Sequence, residues 1–343
     1  MSTPSPIVVI FGSGRSGTTW VQDALAEAND FATVFEPLHP DTVAGAAPFA
    51  NLYVPPDASA PGLVEFMDSA LRGHRSRTWS NLRTRPDRLR PTLARMSSLR
   101  QLRDLRASYV KLYRNWQRYG FVRNRPAVVK FIRGNLMAEW IAQHYAVPAA
   151  VIVRHPCAVL SSVLLRHGQE WEQDAVAELL ARYLAQESLV SDRLAGILPR
   201  VESLRSFAAQ HTAVWCIENG AFLGARRSER LAVEHYESLL MEPAAAWTRL
   251  TKSLGLPRQP DAALQQKPSQ QASYQAIQEG VQYGFLDNWR QHLDEAQLDD
   301  VQAVLDLFGI ATYSVDSPIP VAPDSDRGEP AATVRISRSE AKL

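Results

Sequence analysis

The sequence predicts an α/β fold, a parallel sheet with helices on both faces, and three features predict it. Short runs of apolar, often β-branched residues recur at Ile7–Phe11 (IVVIF), Ala127–Ile132 (AVVKFI), Ala149–Val153 (AAVIV) and Leu231–His235. Such runs suit strands buried on both faces of a parallel sheet. Segments with helical spacing lie between them, and strands alternating with helices build parallel sheets. The first run also opens straight into a glycine-rich turn, Gly12-Ser13-Gly14-Arg15-Ser16-Gly17, before a helical pattern.

Each element follows from its local pattern. A helix is expected from Thr18 to about Ala28, and a short strand at Thr33–Phe35. Residues 37–62 are Pro- and Ala-rich and read as loop. Residues 72–106 hold eleven Arg against only Asp87 and Asp104, with Leu89, Leu93, Met96, Leu99, Leu102 and Leu105 at roughly helical spacing. That stretch reads as a helical insertion, around 63–125, with a basic face that is either solvated or a wall for an anionic acceptor. Leu136–Tyr145, roughly 172–190, 203–226 and 295–308 read as helices. Pro156 suits the first turn of a further helix after the Ala149–Val153 strand. From Asp316 the chain is rich in Pro, Ser and charge, a composition that favours disorder. The expected organisation is one domain over 1–315 and a disordered tail over 316–343.

Composition narrows the function. The chain has 343 residues, 45% hydrophobic and 21% charged, with a formal net charge of +1. Nothing in that balance gives a field for nucleic acid or a membrane surface. Cys157 and Cys216 form no CxxC pair, so neither a disulfide framework nor a cysteine metal site is expected. No metal is expected, because no His, Cys and carboxylate set stands at ligand spacing. The first residues lack a signal-peptide pattern, and no run of about 18 apolar residues exists. The expected location is the cytoplasm. Eight Trp are more than usual; aromatic walls occur in sugar sites, but core packing is the commoner use.

The strand–turn–helix around residue 12 is a ready anion site. Backbone N–H groups at a helix start point at the ligand, and the helix dipole favours negative charge. Gly12, Gly14 and Gly17 allow close wrapping, while Ser13, Arg15, Ser16, Thr18 and Thr19 supply donors. The spacing is that of a Walker A loop, which would require Lys-Ser/Thr where this chain has Thr18-Thr19. A P-loop kinase or NTPase therefore lacks its lysine here, and the loop's cation is Arg15 instead. A second anion site lies in VIVRHPCAVLSSV, residues 151–163. Arg154 ends a buried strand on the edge where doubly wound sheets bind ligands. Ser162 stands eight residues on, about two turns into the expected helix. Arg forks onto two phosphate oxygens, so the pair suits a dianionic phosphate.

Together the motifs resemble those of sulfotransferases that use 3′-phosphoadenosine 5′-phosphosulfate (PAPS). GSGRSGTTW is similar to the family's 5′-phosphosulfate loop, and RHPCAVLSS to its 3′-phosphate motif, with the same Arg-to-Ser spacing. Tyr236 in HYESLLMEP is similar to a Tyr-Glu-Asp segment whose Tyr contacts adenine, and GFLDNW to a Gly/Trp segment near the family's C-terminal helix. FEPLHP, together with Lys130-Phe131-Ile132-Arg133, looks most like the Golgi-type carbohydrate sulfotransferases. His155 stands where those have Asp, and their membrane anchor has no counterpart here. The resemblance spans roughly residues 7–313 and implies a P-loop-type α/β fold.

The resemblance also implies roles. PAPS is the expected co-substrate, without a metal. Sulfuryl transfer passes through a loose transition state like that of phosphoryl transfer, so positioned charge does most of the work. Arg15 would meet charge growing on the 5′-phosphate, and Lys130 would hold the sulfuryl oxygens. The His of cytosolic aryl and steroid sulfotransferases is missing after Lys130; Glu36, ending the Thr33–Phe35 strand, resembles the Glu base of the glycan enzymes and is the expected base unless it only pairs with Arg15 or Arg133, with His39 as the alternative base. The acceptor would be a hydroxyl of a glycan, a glycolipid or a small-molecule alcohol. A non-catalytic nucleotide-binding protein is the remaining alternative.

Overall fold

Side chains alternate across the strands, and each face of the sheet carries its own core. Val9 and Phe11 of β1 (Ile7–Phe11) point into one core with Val129, Phe131, Val151 and Val153. Val8 and Ile10 point into the other with Val128, Ala150 and Ile152. Period-two geometry requires this split, and it explains why the strands read as unbroken apolar runs. The computed structural model describes residues 6–72, 79–80, 126–167, 169–223, 231–266 and 286–321.

The sheet runs β3-β2-β4-β1-β5-β6, with β2 at Ala32–Phe35, β3 at Trp79–Ser80, β4 at Ala127–Phe131, β5 at Ala149–Val153 and β6 at Leu231–His235. Five strands are parallel; β3 pairs antiparallel to β2 at the edge. That two-residue strand lies inside the stretch expected to be a helical insertion, so residues 79–80 correct that expectation. The Arg-rich residues from 81 to 106 lie outside the described residues.

Helices cover both faces. Against β1's Val8/Ile10 side pack α1 (Thr18–Asn29), the short α7 (Tyr236–Met241) and α8 (Pro243–Ser253), through Trp20, Val21, Leu25, Leu239, Trp247 and Leu250. The opposite core takes α2 (Pro61–Ala70), α3 (Ala138–His144), α4 (Pro156–His167), α5 (Gln169–Leu184), α6 (Phe207–Leu223) and α9 (Glu295–Leu307). α2 starts at its Pro, as a fixed φ favours, and buries Leu63, Phe66, Met67 and Ala70. It therefore belongs to the core, although the sequence reading assigned residues from 63 onward to the insertion. The five Trp whose side chains are described, at 20, 140, 215, 247 and 289, are all buried, and the core reading of Trp holds for them. Residues 316–321, assigned by sequence to the tail, are held against the domain: Val321 N donates to Thr312 O at 2.8 Å, and Ser317 O lies 3.0 Å from His155 Nε2.

Candidate active site

The parallel strands share a direction, so the segments leaving their C-terminal ends crowd one edge of the sheet. β1 delivers Gly12–Gly17, β2 delivers Glu36, β4 delivers Lys130 and Arg133, β5 delivers Arg154, and β6 delivers Tyr236. β1 sits between β4 and β5, with connections leaving to either side. In open α/β sheets a ligand crevice forms at such a point.

The glycine loop is built by close approach. A Cβ on Gly12 would stand 2.6 Å from Ile152 O, and one on Gly17 would stand 2.5 Å from the Tyr236 ring. Gly17 also has φ 82°, which an L side chain resists. Arg15 takes φ 67°, left-handed without being glycine. The first intrahelical bond of α1, Val21 N to Gly17 O at 3.2 Å, leaves the helix's leading N–H groups facing the loop. Ser16 Oγ is fully buried and has no hydrogen-bond partner among the described residues.

The second anion motif meets the first. Arg15 Nε donates to Ser162 Oγ at 2.9 Å, and Arg154 Nη1 donates to Arg15 O at 3.1 Å. Residues 147 positions apart in the chain are thus joined directly. Arg154 Nε is buried without a hydrogen-bond partner among the described residues. Burial pulls the Arg15 pKa down to about 10, with Arg166 and then Arg154 pushing the same way. Among the described residues, the influences on Arg15 are burial and two like charges. An anion placed there would relieve all three.

Tyr236 supports this assembly from inside. Its ring lies against Gly17, stacks under the Arg154 guanidinium at 4.5 Å and meets Trp20 edge-on at 5.5 Å. Only 7% of the residue is exposed.

On the β2 and β4 side of the loop lies a buried charge cluster. Lys130 Nζ lies 2.8 Å from Glu36 Oε1 and donates to Thr19 Oγ1 at 3.1 Å; Arg133 Nη1 lies 3.2 Å from Glu36 Oε2. Lys130 and Glu36 are 2% and 3% exposed, whereas Arg133 reaches solvent. Strand alternation turns Lys130 toward the α1 side, which is why it reaches Thr19. Burial lowers the Lys130 pKa, and Glu36 opposes that shift. Glu36 has φ 51°, its N–H donates to Lys130 O at 3.0 Å, and its carbonyl accepts from His39 N at 3.0 Å. A non-glycine residue held left-handed costs about 1–2 kcal/mol, and here the strain aims the carboxylate at the two cations. His39 sits half-buried in the turn that follows.

Most sequence-predicted residues therefore gather at this edge: Ser13 to Thr19, Glu36, Lys130, Arg154, Ser162 and Tyr236. Three residues that sequence reasoning did not assign also belong to it. Arg133, given no catalytic or binding role by the sequence, pairs with Glu36 as the structural alternative for that carboxylate expects. Asn219 Nδ2 donates to Ser13 Oγ at 2.7 Å, and the neighbouring Glu218 accepts from the Tyr183 hydroxyl at 2.7 Å. These two are adjacent polar residues in the buried, mostly apolar second half of α6, and that contrast was the available signal. Ser13 thus turns its hydroxyl toward α6. Trp215, one turn earlier on α6, donates from Nε1 to Arg154 O at 3.0 Å, so one helix face touches both anion motifs.

His155, where the resemblance expects Asp, is fully buried and stacks on Trp289 at 5.1 Å. Its Nδ1 accepts from Cys157 N at 3.2 Å, so Nε2 carries the hydrogen and faces the carbonyls of Ser314 and Ser317, each at 3.0 Å. It staples the C-terminal segment to the second motif. Burial drops its pKa to about 4.

Among the described residues no group of three His, Cys, Asp or Glu could hold a metal ion, and no helix is long and apolar enough to cross a membrane. No family model and no curated protein matches this chain. Among solved structures it is similar to a "Sulfotransferase Domain from the Curacin Biosynthetic Pathway", at 16% identity and TM-score 0.39 over 90% of this chain and 99% of that one. It is also similar to a "Sulfotransferase Domain from the Synechococcus PCC 7002 Olefin Synthase", at 18% identity and TM-score 0.38 over 90% of this chain and 96% of that one. Likeness at this level carries no argument about activity, which rests on the site itself.

Proposed function

We propose that this protein is a sulfotransferase that takes a sulfuryl group from PAPS and transfers it to a hydroxyl of a glycan, a glycolipid or a small-molecule alcohol. The observation that carries the reading is the junction of two anion motifs, Arg15 Nε on Ser162 Oγ and Arg154 Nη1 on Arg15 O. A nucleotide with one phosphate, as AMP, needs only the loop; a 3′,5′-bisphosphorylated nucleotide needs both. Two buried donors without partners among the described residues, Ser16 Oγ and Arg154 Nε, fit an anion on each side of that junction.

In this reading the loop from Ser13 to Thr19 holds the 5′-phosphosulfate, and Arg154 with Ser162 holds the 3′-phosphate. Arg15, between them, meets the charge that grows on the 5′-phosphate as its bond to sulfur breaks. Lys130 touches both Thr19 and Glu36, so it can trade the carboxylate for the sulfuryl oxygens. Glu36 takes the acceptor's proton as the acceptor oxygen bonds to sulfur, and the electron pair of the broken bond stays on the phosphate. Arg133 keeps Glu36 oriented through the exchange. With three cations bearing the charge, the reading requires no metal ion.

The test is incubation with PAPS labelled in its sulfuryl group and fractionated cell extract. Label should move to a hydroxyl compound as an ester. Label that stays on the donor in every fraction, with no preference for bisphosphorylated over monophosphorylated nucleotide, would refute the proposal.

A further inference from the structure

One face of α6 reaches both anion motifs, and no step of the transfer uses it. Trp215 and Asn219 stand four residues apart on α6, about one turn, so their side chains share that face. Trp215 Nε1 donates to Arg154 O at 3.0 Å. Asn219 Nδ2 donates to Ser13 Oγ at 2.7 Å and to Trp215 O at 2.8 Å. A carbonyl oxygen only accepts, so the bond to Trp215 O fixes which end of the Asn219 amide carries the hydrogens. Ser13 is therefore held by its oxygen. Both side chains of α6 are confined: Asn219 is fully buried, and the buried Trp215 indole meets Tyr313 edge-on at 5.7 Å.

These bonds close a ring. Arg154 Nη1 donates to Arg15 O at 3.1 Å, and Arg15 follows Ser13 by two residues in the loop. The path runs from Ser13 along the chain to Arg15 and across to the Arg154 guanidinium. It continues from the Arg154 carbonyl to Trp215, along one turn of α6 to Asn219, and back to Ser13. The helical turn is the stiff member of this ring, because its backbone bonds are internal; its rise is about 6 Å.

We propose that α6 sets the separation of the two phosphate sites, with Trp215 and Asn219 as positioning residues, and thereby selects a nucleotide phosphorylated at both its 3′ and 5′ positions. This rests on the reading that the loop holds the 5′ end and Arg154 the 3′-phosphate. Asn219 acts through Ser13 on the loop. Trp215 acts through the Arg154 carbonyl on the backbone that carries the guanidinium. AMP, which needs only the loop, depends on Asn219 alone, whereas a bisphosphate depends on both residues.

The test is calorimetry of 3′,5′-bisphosphoadenosine and AMP with wild type, Trp215→Phe, Asn219→Ala and the double variant. Phe keeps a ring in the core and removes the N–H. Trp215→Phe should weaken bisphosphate binding roughly 2- to 10-fold, the worth of one hydrogen bond, and leave AMP unchanged. Asn219→Ala should weaken both nucleotides. In the double variant the bisphosphate loss should be smaller than the product of the single losses, because one cut already opens the ring. For AMP the double variant should match Asn219→Ala. If Asn219→Ala fails to fold in a thermal melt, Ser13→Ala cuts the same bond from the loop side. If Trp215→Phe fails to fold, the wild type still decides: its Trp215 indole N–H signal in a nitrogen–hydrogen NMR spectrum should shift further with the bisphosphate than with AMP. A folded Trp215→Phe that changes both nucleotides equally or neither, purely multiplicative losses, or equal indole shifts would overturn this inference alone, while the wild-type preference for the bisphosphate stands. A wild type that binds 3′,5′-bisphosphoadenosine no tighter than AMP would overturn the nucleotide reading, and this inference with it.

Discussion

Replacing Gly17 by Ala perturbs the loop at the point where its geometry is tightest. Two costs add. At φ 82° a Cβ costs about 1–2 kcal/mol against the following carbonyl. The same atom would stand 2.5 Å from two carbons of the Tyr236 ring, and overpacking of this kind costs about 1–3 kcal/mol. Gly17→Ala should therefore lose about 2–5 kcal/mol in urea unfolding. The two costs separate in a double-mutant cycle with Tyr236→Ala. Tyr236→Ala alone should cost about 3–5 kcal/mol as a large buried ring is lost. In that background Gly17→Ala should keep only its backbone cost, which gives a favourable coupling of about 1–3 kcal/mol. If Gly17→Ala costs the same with and without the ring, Tyr236 does not brace the loop, and its place beneath Gly17 and Arg154 is wrong.

Three further outcomes follow from the site. Glu36→Gln should lower single-turnover sulfuryl transfer by about 10²–10⁴ while sparing nucleotide binding; His39→Ala should keep most activity, and the opposite pattern would exchange their roles. ATP turnover with Mg²⁺ should stay at background, because Thr18 occupies the Walker lysine position; measurable ATP hydrolysis would revive the NTPase reading. His155 is held at a pKa of about 4 by burial, so the unfolded chain binds its proton more readily than the folded one. Its contribution is intact above about pH 6.5 and lost as pH falls toward 4, to a total of about 3 kcal/mol. Melting temperature should fall over that window, and His155→Gln should flatten part of the fall; an unchanged slope would mean that His155 titrates normally.

The sheet was legible because its strands are buried on both faces. IVVIF and AAVIV have no polar residue to interrupt them, and both strands run as the sequence predicts. The edge strand Trp79–Ser80 was not legible, because two residues carry no periodicity and their pairing to β2 is set by tertiary contact. The anion motifs were legible because glycine and arginine at fixed spacing have a local geometric cause. Their junction was not: no spacing rule says that Arg15 reaches Ser162. The partners of Glu36 were only half legible. Sequence marked Glu36 as a base and Lys130 with Arg133 as one motif, but the left-handed turn that brings one carboxylate onto both cations is a property of the folded backbone. Glu218 and Asn219 were passed over because α6 was read for its apolar spacing, and a polar pair inside a buried helix has meaning only once its neighbour is known.

The most direct measurement is calorimetric binding of 3′,5′-bisphosphoadenosine and AMP to the wild type and to Arg154→Gln, with thermal melts to confirm folding. A charge-assisted phosphate contact is worth about 1.5–3 kcal/mol. The bisphosphate should therefore bind wild type roughly 10- to 150-fold more tightly than AMP, and Arg154→Gln should erase most of that preference with little change in stability. Equal affinity for the two nucleotides in wild type, or a preference that survives in a folded Arg154→Gln, would contradict the assignment of Arg154 and Ser162 as the second phosphate site.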